Sequence, residues 1–158
     1  MYWSKEIEEM DRSQIEKHQL KQLKKSVEIA LKSPFYEKRF KKNNLKSSMI
    51  KKLEDIRKIP FTTKDDLRAS YPAEMRAVSK DQVVRLHSSS GTTGRATVIF
   101  FTQNDLNNWT NLVSRCLYMT GMRKGDVFQN MMSYGLFTGG LGFHYGAENI
   151  GALVIPIG

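Results

Sequence analysis

Residues 88–94, Ser88-Ser89-Ser90-Gly91-Thr92-Thr93-Gly94, place five hydroxyls and two glycines in seven consecutive positions. Hydroxyl and backbone N–H donors at that density can surround one compact anion, and a triphosphate tail fits the description. The glycines let the backbone approach phosphate oxygens where a β-carbon would stand in the way. The same residue types also make a polar hairpin turn, so composition alone leaves both readings open. The order of residues excludes a Walker loop, because Gly94 is followed by Arg95, Ala96 and Thr97 rather than by Lys-Ser/Thr and a helix. Arg95 is the one cation in the immediate neighbourhood; it either offsets phosphate charge or faces water. The hydroxyls are suited to positioning rather than attack, and Ser88 beside His87 is a sequence neighbour that implies no triad. No catalytic residue is assigned within these residues.

A second candidate lies further on. Residues 134–151 carry six glycines and four aromatic side chains. Within them Gly140-Leu141-Gly142-Phe143-His144-Tyr145-Gly146 spells G-x-G-x-x-x-G, a cousin of the dinucleotide fingerprint, which makes half of a nicotinamide-dependent dehydrogenase the rival reading. The acidic residue that would confirm it, about twenty positions on, would fall beyond Gly158. Glycines in such a helix also permit close packing against a sheet. His144 is a lone histidine among aromatics, open to a hydrogen-bonded core role or to proton transfer. Trp109 and Met119 are assigned to the core.

These segments need a scaffold, and the pattern of the chain supplies one. Residues 82–87 and 96–101 are β-branched or aromatic runs bounded by small residues, so the Ser/Thr/Gly segment is expected between two strands. Thr102 is placed to cap a helix through Leu106, Trp109, Leu112, Val113, Cys116 and Leu117. Strands are expected over 126–132 and 152–157, with a glycine-rich helix over 138–149 between them. This alternation is α/β. The first eighty residues read instead as short helices. Ile15, Leu20, Leu23, Val27, Ala30 and Leu31 recur at helical spacing; Ser33-Pro34 restarts a helix through Phe40; Thr63 with Asp66 forms a capping box for residues 64–69. The expected organisation is a helical region over 1–80 and the first part of a nucleotide-binding α/β domain over 81–158.

The chain has 158 residues, a net charge of +9 and one cysteine. Residues 1–80 hold 20 Lys/Arg against 12 Asp/Glu and residues 81–158 hold 5 against 4, so nearly all the excess lies on the helical region. There Lys17, Lys21, Lys24, Lys25 and Lys32 fall on a polar helix face, and no nucleic-acid motif accompanies them, so no nucleic-acid partner is expected. Cys116 has no intramolecular disulfide partner, and His18, His87 and His144 lack metal-ligand spacing, so no protein metal site is expected. There is no apolar run of membrane-spanning length and no signal-peptide pattern, which points to a cytoplasmic protein without membrane contact.

Several stretches together resemble one family. Ser89-Ser90-Gly91-Thr92-Thr93-Gly94 is similar to the phosphate loop of adenylate-forming enzymes: the acyl-CoA synthetases, adenylation domains and luciferases. Arg85-Leu86-His87-Ser88, Tyr134-Gly135-Leu136-Phe137-Thr138-Gly139-Gly140-Leu141-Gly142, His144-Tyr145-Gly146-Ala147-Glu148, Ile59-Pro60-Phe61-Thr62-Thr63-Lys64-Asp65-Asp66-Leu67 and Tyr2-Trp3 narrow the resemblance to the phenylacetate–CoA ligases. Ala96 stands where that family usually has proline. The resemblance implies ATP-dependent ligation of an aryl-acetic acid, most simply phenylacetate, to coenzyme A through an acyl-adenylate, with ATP, Mg2+ and coenzyme A as substrates and cofactors. It implies that Ser88, Ser89, Ser90, Gly91, Thr92, Thr93, Gly94 and Arg95 bind the ATP phosphates, and that Tyr134, Gly135, Phe137, Gly139 and Gly140 line the aryl-acid and CoA pocket. It further implies a homodimer, to which Trp3 is a candidate contributor. The family's ribose-binding residue, adenine-contacting segment and mobile lysine are not found, so the chain is expected to be an amino-terminal portion without activity by itself. A non-catalytic nucleotide- or partner-binding module is the alternative.

Overall fold

The computed structural model describes residues 2–89 and 97–158. It divides into two compact units, Met10–Asp81 on one side and Met1–Glu9 with Gln82–Gly158 on the other. The difference from a single cut at residue 80 lies in the first nine residues. The indole N–H of Trp3 donates to Asn111 Oδ1 at 2.7 Å, its ring lies 5.6 Å from that of Tyr118, and Glu8 pairs with Arg115 at 3.3 Å. The half-buried Trp3 thus has partners within its own unit.

The helical unit contains α2 (Arg12–Ala30), α3 (Pro34–Lys42) and α4 (Lys64–Ala69), after a short α1 (Lys5–Glu8) that belongs to the other unit. Each of the three begins where a side chain takes up orphan N–H groups. Asp11 and Gln14 cap each other's backbone at the start of α2, the Ser33 hydroxyl accepts from Tyr36 N ahead of Pro34, and Thr63 and Asp66 form the expected capping box. The apolar stripe of α2 meets Phe40, Leu45 and Ile50 around Val27, and Lys17, Lys21, Lys24 and Lys25 are exposed. Asp66 does two jobs at once. It caps Thr63 N at 2.8 Å and receives Arg39 through both guanidinium nitrogens at 2.7 and 3.0 Å, which ties α4 to α3. Those contacts, the Arg39 hydrogen bonds first and the Thr63 backbone N–H next, hold its carboxyl down at about 2.

The second unit holds β1 (Val83–Ser88) and β2 (Val98–Thr102), paired antiparallel from Val83↔Thr102 to Ser88↔Val98. Thr102 and Asp105 then form a capping box that starts α5 (Gln103–Met119). β3 (Val127–Asn130), α6 (Gly139–Ile150) and β4 (Leu153–Pro156) form a β-α-β unit whose two strands pair in parallel, Val127↔Leu153 to Asn130↔Pro156. Both strand pairs and the two long helices follow the expected α/β order. Met119 is a correction, because the last turn of α5 leaves it 72% exposed rather than in the core.

α5 and α6 pack tightly because two glycines remove β-carbons at the contact. A β-carbon on Gly142 would sit 2.6 Å from the Trp109 ring, and one on Gly146 would sit 2.6 Å from Val113 Cγ1 and 3.2 Å from Ser114 N. Ser114 is fully buried in the seam, where its hydroxyl lies 2.9 Å from the carbonyls of both Thr110 and Gly146 and accepts from Asn149 Nδ2 at 3.0 Å.

Two of these contacts can be tested by substitution. Asp66→Asn should lower the melting temperature of the helical unit at pH 7. A carboxyl whose folded pKa is depressed stabilises above its ordinary value of 3.8 and ceases to do so as pH falls through about 2, so the gap between parent and variant should close across that window; a gap unchanged at pH 2 would contradict the assignment. Gly146→Ala should cost about 1–3 kcal/mol by overpacking, with Val113→Ala in the same chain restoring part of the loss. Urea denaturation of the four members of that cycle measures both, and a Gly146→Ala chain as stable as the parent would refute the close approach.

Candidate functional site

β1 delivers its last residues to the root of the Ser/Thr/Gly segment. Ser89 N donates to Thr97 O at 3.0 Å, and Thr97 N donates back to Ser89 Oγ at 3.0 Å, so these two residues close the ends of the segment between the strands. The Ser89 hydroxyl accepts in that contact, which does not use its own hydrogen. Ser90, Gly91, Thr92, Thr93, Gly94 and Arg95 lie outside the described residues.

The root is fastened to the second candidate segment through one backbone oxygen. Ser88 N donates to Leu136 O at 3.0 Å, and His87 Nδ1 lies 2.9 Å from the same oxygen. A carbonyl only accepts, so His87 carries its proton on Nδ1. The ring is 2% exposed and is wedged edge-on against Phe101 at 5.4 Å and Trp109 at 5.5 Å, which stack on each other at 5.9 Å. β1, β2, α5 and the 134–138 segment thus converge on one imidazole. Its Nε2 is buried without a hydrogen-bond partner among the described residues. With Nδ1 committed to Leu136, His87 forms no dyad with Ser88.

The pocket candidates divide by environment. Phe137 is 57% exposed and Gly135 has open space where a β-carbon would stand, while Tyr134 is half-buried at the approach to α6. Gly139 would bring a β-carbon against the flexible end of Met132, whereas at Gly140 it would meet the backbone oxygen of Ser133 at 2.5 Å. Gly140 O is also held by the Nδ2 of Asn130, a fully buried side chain that sequence reasoning did not single out. The three glycines of G-x-G-x-x-x-G are each taken up by a neighbour within the fold: Ser133, Trp109 and Val113. Residues 131–138 moreover separate the end of β3 from α6, in place of the tight strand-to-helix turn that a dinucleotide fingerprint needs. The glycines are packing residues. Among the described residues no group of three His, Cys, Asp or Glu side chains is arranged to hold a metal ion, and no helix is long and apolar enough to cross a membrane.

This fold is that of the CoA ligases that form acyl-adenylates. A 2-hydroxyisobutyryl-CoA ligase in the postadenylation state with 2-HIB-AMP superposes with a TM-score of 0.85 at 27% identity, over 93% of this chain and 32% of that one. An open conformation of the same ligase with 2-HIB-AMP and CoA gives 0.85 at 27% identity, over 93% and 35%. Among curated proteins, the chain is similar to the phenylacetate–coenzyme A ligases. It is 49% identical to that of Pseudomonas putida over 90% of its length, 50% identical to that of Escherichia coli over 78%, and 40% identical to that of Thermus thermophilus over 99%. It spans about a third of each relative's own length, 33%, 28% and 36% respectively. No protein-family model matches the chain.

If the imidazole is the fastening described, His87→Phe should fill the space but release the 134–138 segment. Amide hydrogen exchange at Ser88 and across 134–138 should then speed up well beyond the change in global stability. His87→Asn, whose Nδ2 can reproduce the Nδ1 donor, should restore much of the protection. Equal exchange in parent and His87→Phe chains would show that the contact fastens nothing.

Proposed function

We propose that these residues belong to an ATP-dependent aryl-acid–CoA ligase, with phenylacetate as the acid, and that they supply its phosphate loop and part of its acid subsite. What carries the reading is the Leu136 carbonyl: it fastens the root of a hydroxyl- and glycine-rich loop to the aromatic and glycine segment, in a chain 40–50% identical to phenylacetate–CoA ligases. Two candidate subsites that are 49 residues apart in sequence meet there.

A free carboxylate is a poor electrophile. In the proposed reaction its oxygen attacks the α-phosphorus of ATP, the bond to the β-phosphate breaks, and pyrophosphate leaves with the electron pair; the thiolate of coenzyme A then attacks the acyl carbon and AMP departs. Donors from Ser89, Ser90, Thr92, Thr93 and Gly94 would hold the β- and γ-phosphates while charge builds on the leaving pyrophosphate, and Arg95 would add a cation. Ser88 contributes through its backbone, which sets the root of the loop on Leu136. Mg2+ bound to the phosphates would share that developing charge, and the hydroxyl-rich loop, without a carboxylate among residues 88–97, fits an ion that arrives on the nucleotide. Tyr134 and Phe137 would give the phenyl ring an aromatic wall, and Gly135, with open space where a β-carbon would stand, room for close approach; Gly139 and Gly140, whose β-carbon positions Met132 and Ser133 already fill, would hold the backbone of that subsite in place. A cytoplasmic homodimer is the proposed setting.

The test is made on the full product of the reading frame that encodes these residues, by following phenylacetyl-CoA, AMP and pyrophosphate. Thr92→Val, Thr93→Val or a bulkier residue at Gly94 should lower the phenylacetate-dependent rate of pyrophosphate exchange while the melting temperature stays near the parent's. Loss of one donor to a developing phosphate charge is expected to raise the barrier by about 2.7–4 kcal/mol, by analogy with oxyanion donors. Exchange at the parent's rate, or a loss only in proportion to unfolding, would make the loop a structural turn.

A further inference from the structure

His144 stands at the centre of a hydrogen-bonded series whose direction is fixed by its ends. Asn130, 1% exposed at the end of β3, places Nδ2 2.8 Å from Gly140 O and 2.7 Å from Tyr134 Oη, and its Oδ1 accepts Met132 N at 3.2 Å. The backbone carbonyl on one side and the backbone N–H on the other allow only this orientation of the amide. Asn130 therefore donates to Tyr134 Oη, and the direction of the 3.1 Å contact between that oxygen and His144 Nδ1 is set at the other end. The carboxylate of Glu148, one helical turn further along α6, only accepts and lies 3.1 Å from Nε2, so the neutral ring carries its proton on Nε2 and its bare Nδ1 takes the phenol hydrogen. Donation runs one way, from Asn130 to Tyr134 to His144 to Glu148.

We propose that His144 is a positioning residue of the acid subsite, acting through Tyr134, whose ring orientation and hydroxyl hydrogen it fixes, with Glu148 selecting the tautomer that lets it do so. This rests on the reading that Tyr134 lines that subsite. Tyr134 meets His144 edge-on, with ring centroids 5.6 Å apart and planes at 82°. The phenol oxygen is tied to Asn130 and the phenol hydrogen to His144, so the residue has no hydroxyl donor to spare for a ligand. It presents its ring instead. A subsite wall of that kind favours an apolar aryl group over a polar one, and its orientation is set from outside the wall by His144.

Two measurements decide the proposal. In the 158-residue chain labelled with nitrogen-15 at histidine, nitrogen shifts should show neutral His144 with its proton on Nε2 and a hydrogen-bonded, bare Nδ1; the opposite tautomer overturns the proposal. In the full-length enzyme, His144→Phe should raise KM for phenylacetate about tenfold, the worth of one buried hydrogen bond, with KM for ATP and the melting temperature near the parent's. His144→Asn, whose Oδ1 can take the phenol hydrogen, should recover most of that affinity. If Tyr134→Ala raises the phenylacetate KM but His144→Phe does not, the subsite stands and the role of His144 falls. If Tyr134→Ala leaves that KM unchanged, the acid binds elsewhere and both fall.

Discussion

The carbonyl oxygen of Leu136 has two lone pairs, and the chain uses both on the last residues of one strand: the backbone N–H of Ser88 and the imidazole Nδ1–H of His87. Everything proposed about chemistry depends on that junction. A phosphate loop is useful to an acid-activating enzyme only if the carboxylate is held where the α-phosphate will be, so the loop root and the acid-binding segment must have a fixed relation. A single backbone hydrogen bond would leave a hinge; the second donor comes from a ring held edge-on against the stacked pair of Phe101 and Trp109, and it removes that freedom. The clamp rests in turn on α5, because Trp109 is one of its residues.

Trp109 also explains the glycines of α6. The ring can lie where it does because Gly142 has no β-carbon to strike it, and the helix below it can approach because Gly146 yields to Val113. Sequence that imitates a nucleotide fingerprint is here a record of helix packing, with the loop root, the aromatic clamp, α5 and α6 forming one continuous chain of contacts. Between those two glycines, the same helix carries His144 to Tyr134, with Glu148 one turn on, so that one element both supports the clamp and holds the Tyr134 hydroxyl.

How much of this could be read from the sequence depends on how local each interaction is. Helix starts were legible: Ser33-Pro34, Thr63 with Asp66 and the cap Thr102 each complete their contacts within three residues, and side-chain type at fixed spacing decides them, while the return bond of Asp105 to Thr102 came with the structure. The paired strands and the α/β order were legible for the same reason, through β-branched runs and a change of period. The role of His87 was not, because its partner is a backbone oxygen, which has no residue type to recognise, 49 positions away. Asn130 escaped notice in the same manner, since a single asparagine at a strand end reads as a turn residue until Gly140 O and Tyr134 Oη are found beside it. The first nine residues looked continuous with the basic helices that follow; the contacts of Trp3 with Asn111 and Tyr118 and of Glu8 with Arg115 draw them into the other unit. Met119 fits an apolar spacing on α5 but shares the outward face with Leu112 and Cys116, while Leu117 in the same turn is buried.

The central claim is that the loop and the aromatic segment jointly activate an aryl acid as its adenylate. The most direct measurement omits coenzyme A: the full-length protein is incubated with ATP, Mg2+ and phenylacetate, and the bound products are identified by mass spectrometry. Phenylacetyl-AMP at an amount approaching that of the enzyme, with one pyrophosphate released for each, is the predicted result. ATP left intact, or cleaved to ADP and phosphate without any phenylacetyl-AMP, would contradict it.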